Sequence, residues 1–238
     1  MNKGFYDNLD TNFEEALKMV ERSFSHVECI ELLKNGNIPQ KQLAALRLDS
    51  INNLEEAKVL LFNLTGCDGK IREAVALKIN QLLVKSPELI NYFATNPDVF
   101  AKASIDINAN ICRLVIDSVG ILKVNKCFSE QYLALILQYI QSTFEELDKF
   151  IFRDKKYIIN KQLFKLYWCL EALRFFASDV QDEEIYKILE RCSQEREYTI
   201  REQTAKILAV LKSPCFDKIK IGLKSDENYY VRLGVSLS

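Results

Sequence analysis

The sequence predicts an all-α protein, an α-α superhelix of about five to six helix pairs. Three observations predict it. Apolar residues recur at helical spacing along almost the whole chain. Only 7 Gly and 4 Pro occur in 238 residues, fewer than turn-rich β folds require. One kind of helix opening also recurs: a polar turn, then a β-branched residue or Cys directly before Arg.

The elements follow in order. Thr11 stands three residues before Glu14, a capping-box pattern, and Phe13, Ala16, Leu17 and Val20 continue at helical spacing. A short helix from about His26 to Leu33 is expected to stop at Asn35-Gly36. Pro39 opens the next, carrying Leu43, Leu46 and Ile51. NLEEAKVLLFNLTG is a helix that ends at Gly66. In DGKIREAVALKINQLL, Asp68 can cap, and Ile71, Val75, Ile79 and Leu82 form one apolar stripe.

This last opening, with its Arg72, is repeated. Arg113 lies in NANICRLVIDSVGIL, Arg201 in EYTIREQTAKILAVL and Arg232 in DENYYVRLGVSL. Arg72 to Arg113 is 41 residues and Arg113 to Arg201 is 88, about two such units, so a further member should begin near Asn160. Arg201 to Arg232 is a shorter 31.

Leu54 to Leu83, LEEAKVLLFNLTGCDGKIREAVALKINQLL, resembles a HEAT repeat, with an Asp and an Arg where such repeats carry them. Weaker matches cover Phe100 to Leu122, Gln181 to Leu211 and Phe216 to Leu237. The repeat around Tyr157 departs from the pattern, lacking the Arg and a clean preceding Asp. The resemblance implies a HEAT-like solenoid, right-handed, in which stacked pairs share one core. No linker, charge run or low-complexity segment divides the chain. A single solenoid domain, residues 1–238, is expected, with 1–37 as N-terminal capping helices and 38–238 as repeats. In HEAT-like repeats the recurrent Arg commonly pairs with an Asp of a turn. Arg72, Arg113, Arg201 and Arg232 are therefore read as a structural ladder, with Asp68 and Asp226 placed to serve it. A ladder binding an acidic partner or phosphates is the competing reading.

Composition excludes more than it names. With 32 basic and 33 acidic residues the net charge is −1, which removes the usual electrostatic case for nucleic acid. No apolar run approaches the roughly 20 residues of a membrane span, and the N-terminus has no apolar signal core. A cytoplasmic protein with no membrane contact is expected. Seven Cys, an odd number with no C-x-x-C, read as reduced thiols acting as small hydrophobes. His26 is the only His, so neither a zinc site nor a Ser–His or Cys–His nucleophile is expected. No phosphate-binding glycine loop occurs. Glu14-Glu15, Glu145-Glu146 and Glu183-Glu184 sit near helix ends or on solvated faces, where carboxylates are ordinary.

The stretch YIINKQLFKLYWCLEALRFF, Tyr157 to Phe176, has two apolar faces as a helix. Ile159, Leu163, Leu166, Leu170, Leu173 and Ala177 fall within about 80° and make a core stripe. Tyr157, Phe164, Trp168 and Phe175 fall within about 40° on the far side, with Asn160 and Glu171 at one edge and Lys161 and Lys165 at the other. Two readings are open. The aromatics pack against a neighbouring repeat or the long helix of residues 128–147. Or they line the concave groove, where aromatic anchors edged by charge suit a protein or peptide partner.

The expected function is non-enzymatic: a binding or scaffold protein that recognises a protein segment along its concave surface, without cofactor or metal. The alternative is a HEAT-like enzyme. One such class, the alkylpurine DNA glycosylases, is basic and uses a cluster of Trp with Asp; here the single Trp168 is followed by Cys169 and Leu170. The other, the bilin lyases, is neither excluded nor specifically supported. The end of the chain, YYVRLGVSLS, alternates Val231, Leu233, Val235 and Leu237 with polar residues. It is read as a frayed end, an abbreviated cap or a weak homodimer edge on an otherwise monomeric protein.

Overall fold

The structure, a computed structural model, describes residue 14 and residues 17–149 and 156–236. Every regular element among them is a helix. The chain divides into two compact units, Met1–Gln131 and Tyr132–Ser238.

In the first unit the helices are α1 (His26–Asn35), α2 (Ile38–Arg47), α3 (Leu54–Leu64), α4 (Gly69–Lys85), α5 (Ile90–Phe93), α6 (Pro97–Ala103) and α7 (Ala109–Leu122). Their starts are locally encoded. Ser25 with Glu28 and Asn37 with Gln40 form capping boxes. Asn53, Asp68 and Asn108 each accept a backbone N–H from the first turn of α3, α4 and α7. Asp68 thus caps α4, accepting from the N–H groups of Lys70 and Ile71, and is not the partner of Arg72.

Helices α2, α4 and α7 pack in sequence as one row. Helix α1 packs on α2 and α3, α3 on α4, and α6 on α7. Helix α4 is therefore enclosed by neighbours. Ile71, Val75, Ile79 and Leu82 are buried as expected, and so are Ala74, Ala76, Leu83 and the stem of Lys78. Leu46, at the edge of the row, is exposed. Asn63, buried at 4% exposure, donates to the carbonyls of Leu33 (3.0 Å) and Val59 (2.8 Å) and accepts from Lys41 Nζ (3.3 Å), so α1, α2 and α3 meet at one satisfied amide.

Helix α8 (Lys126–Lys149) contains the boundary between the units. The second unit continues with α9 (Lys156–Leu173), α10 (Asp182–Ser193), α11 (Tyr198–Val210), α12 (Asp217–Lys224) and α13 (Tyr229–Ser236). Helices α9, α11 and α13 form a row, and α10 packs on α11 and α12. Tyr132, Ile136, Ile140, Thr143 and Phe144 are the buried side of α8 in this unit. Arg191 of α10 reaches it, pairing with Asp148 at 2.7 and 3.1 Å and lying 4.1 Å from the Phe144 ring centroid. Close approach of α13 to α11 depends on Gly234, where a Cβ would stand 3.0 Å from that of Ala205. Near the end Val231, Leu233 and Val235 are helical, with Val231 and Val235 buried and Leu233 40% exposed; Leu237 lies outside the described residues.

Two arginines bridge consecutive turns with the same geometry. Arg72 donates through Nη1 to the carbonyls of Gly66 and Cys67, and through Nε and Nη2 to Asp106 at 2.7 and 3.1 Å. Arg201 donates through Nη1 to the carbonyls of Glu195 and Arg196, and through Nε and Nη2 to Asp226 at 2.7 and 3.1 Å. Each Asp also accepts the backbone N–H two residues on, from Asn108 or Asn228. Arg232 repeats the first half of the pattern, donating to the carbonyls of Asp226 and Glu227. Arg113 stands one residue past this position and is exposed, 3.4 Å from Asn110 Oδ1. Cys112 occupies the position instead, and its thiol donates to the Asp106 carbonyl.

The Arg201 hydrogen bond holds the Asp226 carboxyl below its ordinary range, and both side chains are about nine-tenths buried. A carboxylate depressed in the folded state stabilises above its unfolded pKa, and that contribution is lost as pH falls through the folded value. Asp226→Asn keeps the turn bond but removes the charge paired with the mostly buried guanidinium, and is expected to cost about 3 kcal/mol at neutral pH. Chemical denaturation should show the gap between variant and parent closing below about pH 4. An equal gap at pH 7 and pH 3 would contradict the clamp.

Candidate functional site

Helix α9 runs beside α11, and the start of α11 lies against the middle of α9. Between them is a cleft of about 380 Å³, lined by Asn160, Leu163, Phe164, Tyr167 and Trp168 of α9 with Glu197 and Thr199 from the start of α11. The α9 residues recur at spacings of three, one, three and one, which is one helical face.

Trp168 is the floor, 6% exposed. Its ring meets Phe164 at 6.1 Å and 73° and Tyr167 at 5.1 Å and 87°, both edge-on. Phe164 is the outer wall at 37% exposure, and Tyr167 is half-buried. The indole N–H of Trp168 is buried without a hydrogen-bond partner. Glu197 occupies the N-cap position of α11 but makes no side-chain cap bond. Its carboxylate accepts from the Thr199 hydroxyl at 3.3 Å. Arg201, one turn on, is committed to Asp226 and Glu227.

The residues of the aromatic stripe do not all lie in the cleft. Phe164 and Trp168 line the cleft, with Trp168 packed beneath Phe164 and Tyr167. Phe175 lies past the end of α9, with the Arg174 guanidinium 5.6 Å from its ring, and is no part of the lining. The side chain of Tyr157 lies outside the described residues. Lys161 is exposed and not in the lining. Lys165 turns to α8, donating to Ser142 and lying 5.0 Å from the Tyr139 ring. Sequence reasoning missed Tyr167, Glu197 and Thr199. Pairing the two row helices before reading their faces would have put the start of α11 opposite Phe164.

The histidine and the cysteines lie outside the cleft lining. His26 Nε2 lies 2.9 Å from both Glu56 and Asn52. Cys29, Cys112, Cys169 and Cys192 are buried thiols, and burial pushes Cys169 up to about 12. Cys67, Cys127 and Cys215 are exposed. Among the described residues no cluster of three or more His, Cys, Asp or Glu is placed to hold a metal. No helix there is long and apolar enough to cross a membrane.

No protein-family model matches the sequence, and no curated protein matches it. The fold is similar to the crystal structure of an engineered protein from the Northeast Structural Genomics Consortium. That match has 13% identity, TM-score 0.54, and covers 90% of this chain and 97% of the other. A second engineered protein from the same consortium aligns at 12% identity and TM-score 0.48, over 90% of this chain and 95% of the other.

Trp168 is the sole Trp, so its fluorescence reports on the cleft floor. Its emission is expected blue of free indole and weakly quenched by acrylamide, with Phe164→Ala increasing the quenching at unchanged helicity. Red, readily quenched emission in the folded parent would contradict the packing described.

Proposed function

We propose that each unit is a HEAT-like stack of helix pairs, and that the protein is a non-enzymatic binding or scaffold module. It recognises a protein segment in the cleft between α9 and α11. The rows α2–α4–α7 and α9–α11–α13, and the two arginine clamps that join successive turns, support the repeat reading. The aromatic cleft is the observation that carries the functional reading. It joins exposed ring surface to a few polar groups at a rim, the composition of a small recognition site. A non-enzymatic role is favoured because His26 is bonded in place and the Cys169 thiol is held protonated at neutral pH.

The test is a selection of random peptides on the full chain, followed by titration in solution with Trp168 emission as the readout. Phe164→Ala, a partly exposed position, is expected to weaken the selected peptides about tenfold without loss of circular dichroism. Trp168→Ala is the poorer variant, since truncating a buried Trp costs about 3–5 kcal/mol of stability. Peptides that bind equally to parent and Phe164→Ala would contradict this site.

A further inference from the structure

The chemistry of the cleft selects what the segment must carry. Among the described residues its lining holds three aromatic rings and one carboxylate but no cation. Glu197 is half-buried, and beyond the Thr199 hydroxyl the described residues supply it no hydrogen bond or ion pair. Glu197 lies in the positive field of Arg201, but that guanidinium makes its close ion pairs with Asp226 and Glu227, so among the described residues no cation contacts the Glu197 carboxylate.

The same unit completes this arrangement elsewhere with its own residues. Arg191 lies 4.1 Å from the Phe144 ring centroid while pairing with Asp148 at 2.7 Å. Arg174 lies 5.6 Å from the Phe175 ring centroid while pairing with Glu171 at 2.7 Å. Ring, carboxylate and cation occur together there. The α9–α11 cleft has the ring and the carboxylate.

We propose that the cleft takes an Arg or Lys side chain of the bound segment, its cation against the Phe164 and Tyr167 rings and paired with the Glu197 carboxylate. The proposal rests on the reading of the cleft as a protein-segment site. Cation–π contact and a partly buried charge pair act together here, and each is stronger away from bulk water. A volume of about 380 Å³ lies at the small end of ligand sites, suited to one long side chain and its flanking backbone. Asn160 at the rim can hydrogen-bond that backbone.

The probes are a selected Arg- or Lys-containing peptide and its norleucine replacement, each titrated against the parent chain and Glu197→Gln. The basic peptide should bind the parent about tenfold more tightly than the norleucine peptide. Glu197→Gln should remove most of that difference, the basic peptide losing far more affinity than the norleucine peptide. A basic peptide insensitive to Glu197→Gln, or equal losses for both peptides, overturns the proposal. Selected peptides that need Phe164 but carry no basic residue overturn it while leaving the segment-binding reading intact. If no selected peptide needs Phe164, that reading fails and takes this proposal with it. Alkylated duplex DNA is the third probe. Binding that needs Glu197 would assign the cation to a charged base, and overturns the proposal as well.

Discussion

Helix α4 buries Ile71, Val75, Ile79 and Leu82 together with Ala74, Ala76 and Leu83, and it can do so because α2, α3 and α7 cover it from different sides. Alone, a single helix pair leaves much of this surface in water. At about 25 cal/mol per Å² of apolar area, the stability of each pair resides largely in its neighbours. Helix α11 has the same dependence on α9, α10 and α13. Two apolar faces on one helix are then an ordinary consequence of its place in a row, and an aromatic face with a cleft in front of it is the departure.

Burial is non-directional, so something else must set how one turn meets the next. Arg72 and Arg201 do this with five N–H donors in a fixed fork, part to their own turn and part to the Asp of the following one. The clamp selects geometry more than it adds stability, as partly buried ion pairs usually do. Where Cys112 stands at the position of the arginine, its thiol donates to the Asp106 carbonyl.

Much of the fold was legible in the sequence because its signals are local. Capping residues such as Asp68 and apolar periodicity such as Ile71 to Leu82 act within one helix. The register of the arginines was less legible. Arg113 follows Cys112 in an opening like the others, but an offset of one residue turns it about 100° away from the clamp. In the cleft, Phe164 and Trp168 were readable from the α9 pattern alone, whereas Lys165 folds back on Tyr139 and Phe175 falls beyond the helix end. Glu197 and Thr199 were not readable at all from α9. They reach the cleft only through the packing of α11 on α9, a contact across about 30 residues that no local rule encodes.

The indole N–H of Trp168 gives one proton resonance, buried and without a hydrogen-bond partner at the floor of the cleft. Following it by nuclear magnetic resonance while a selected peptide is titrated tests the central claim most directly. The account predicts a progressive, saturable shift with the same midpoint as binding measured by calorimetry. A resonance that stays fixed while calorimetry records saturation would place recognition elsewhere and contradict the account.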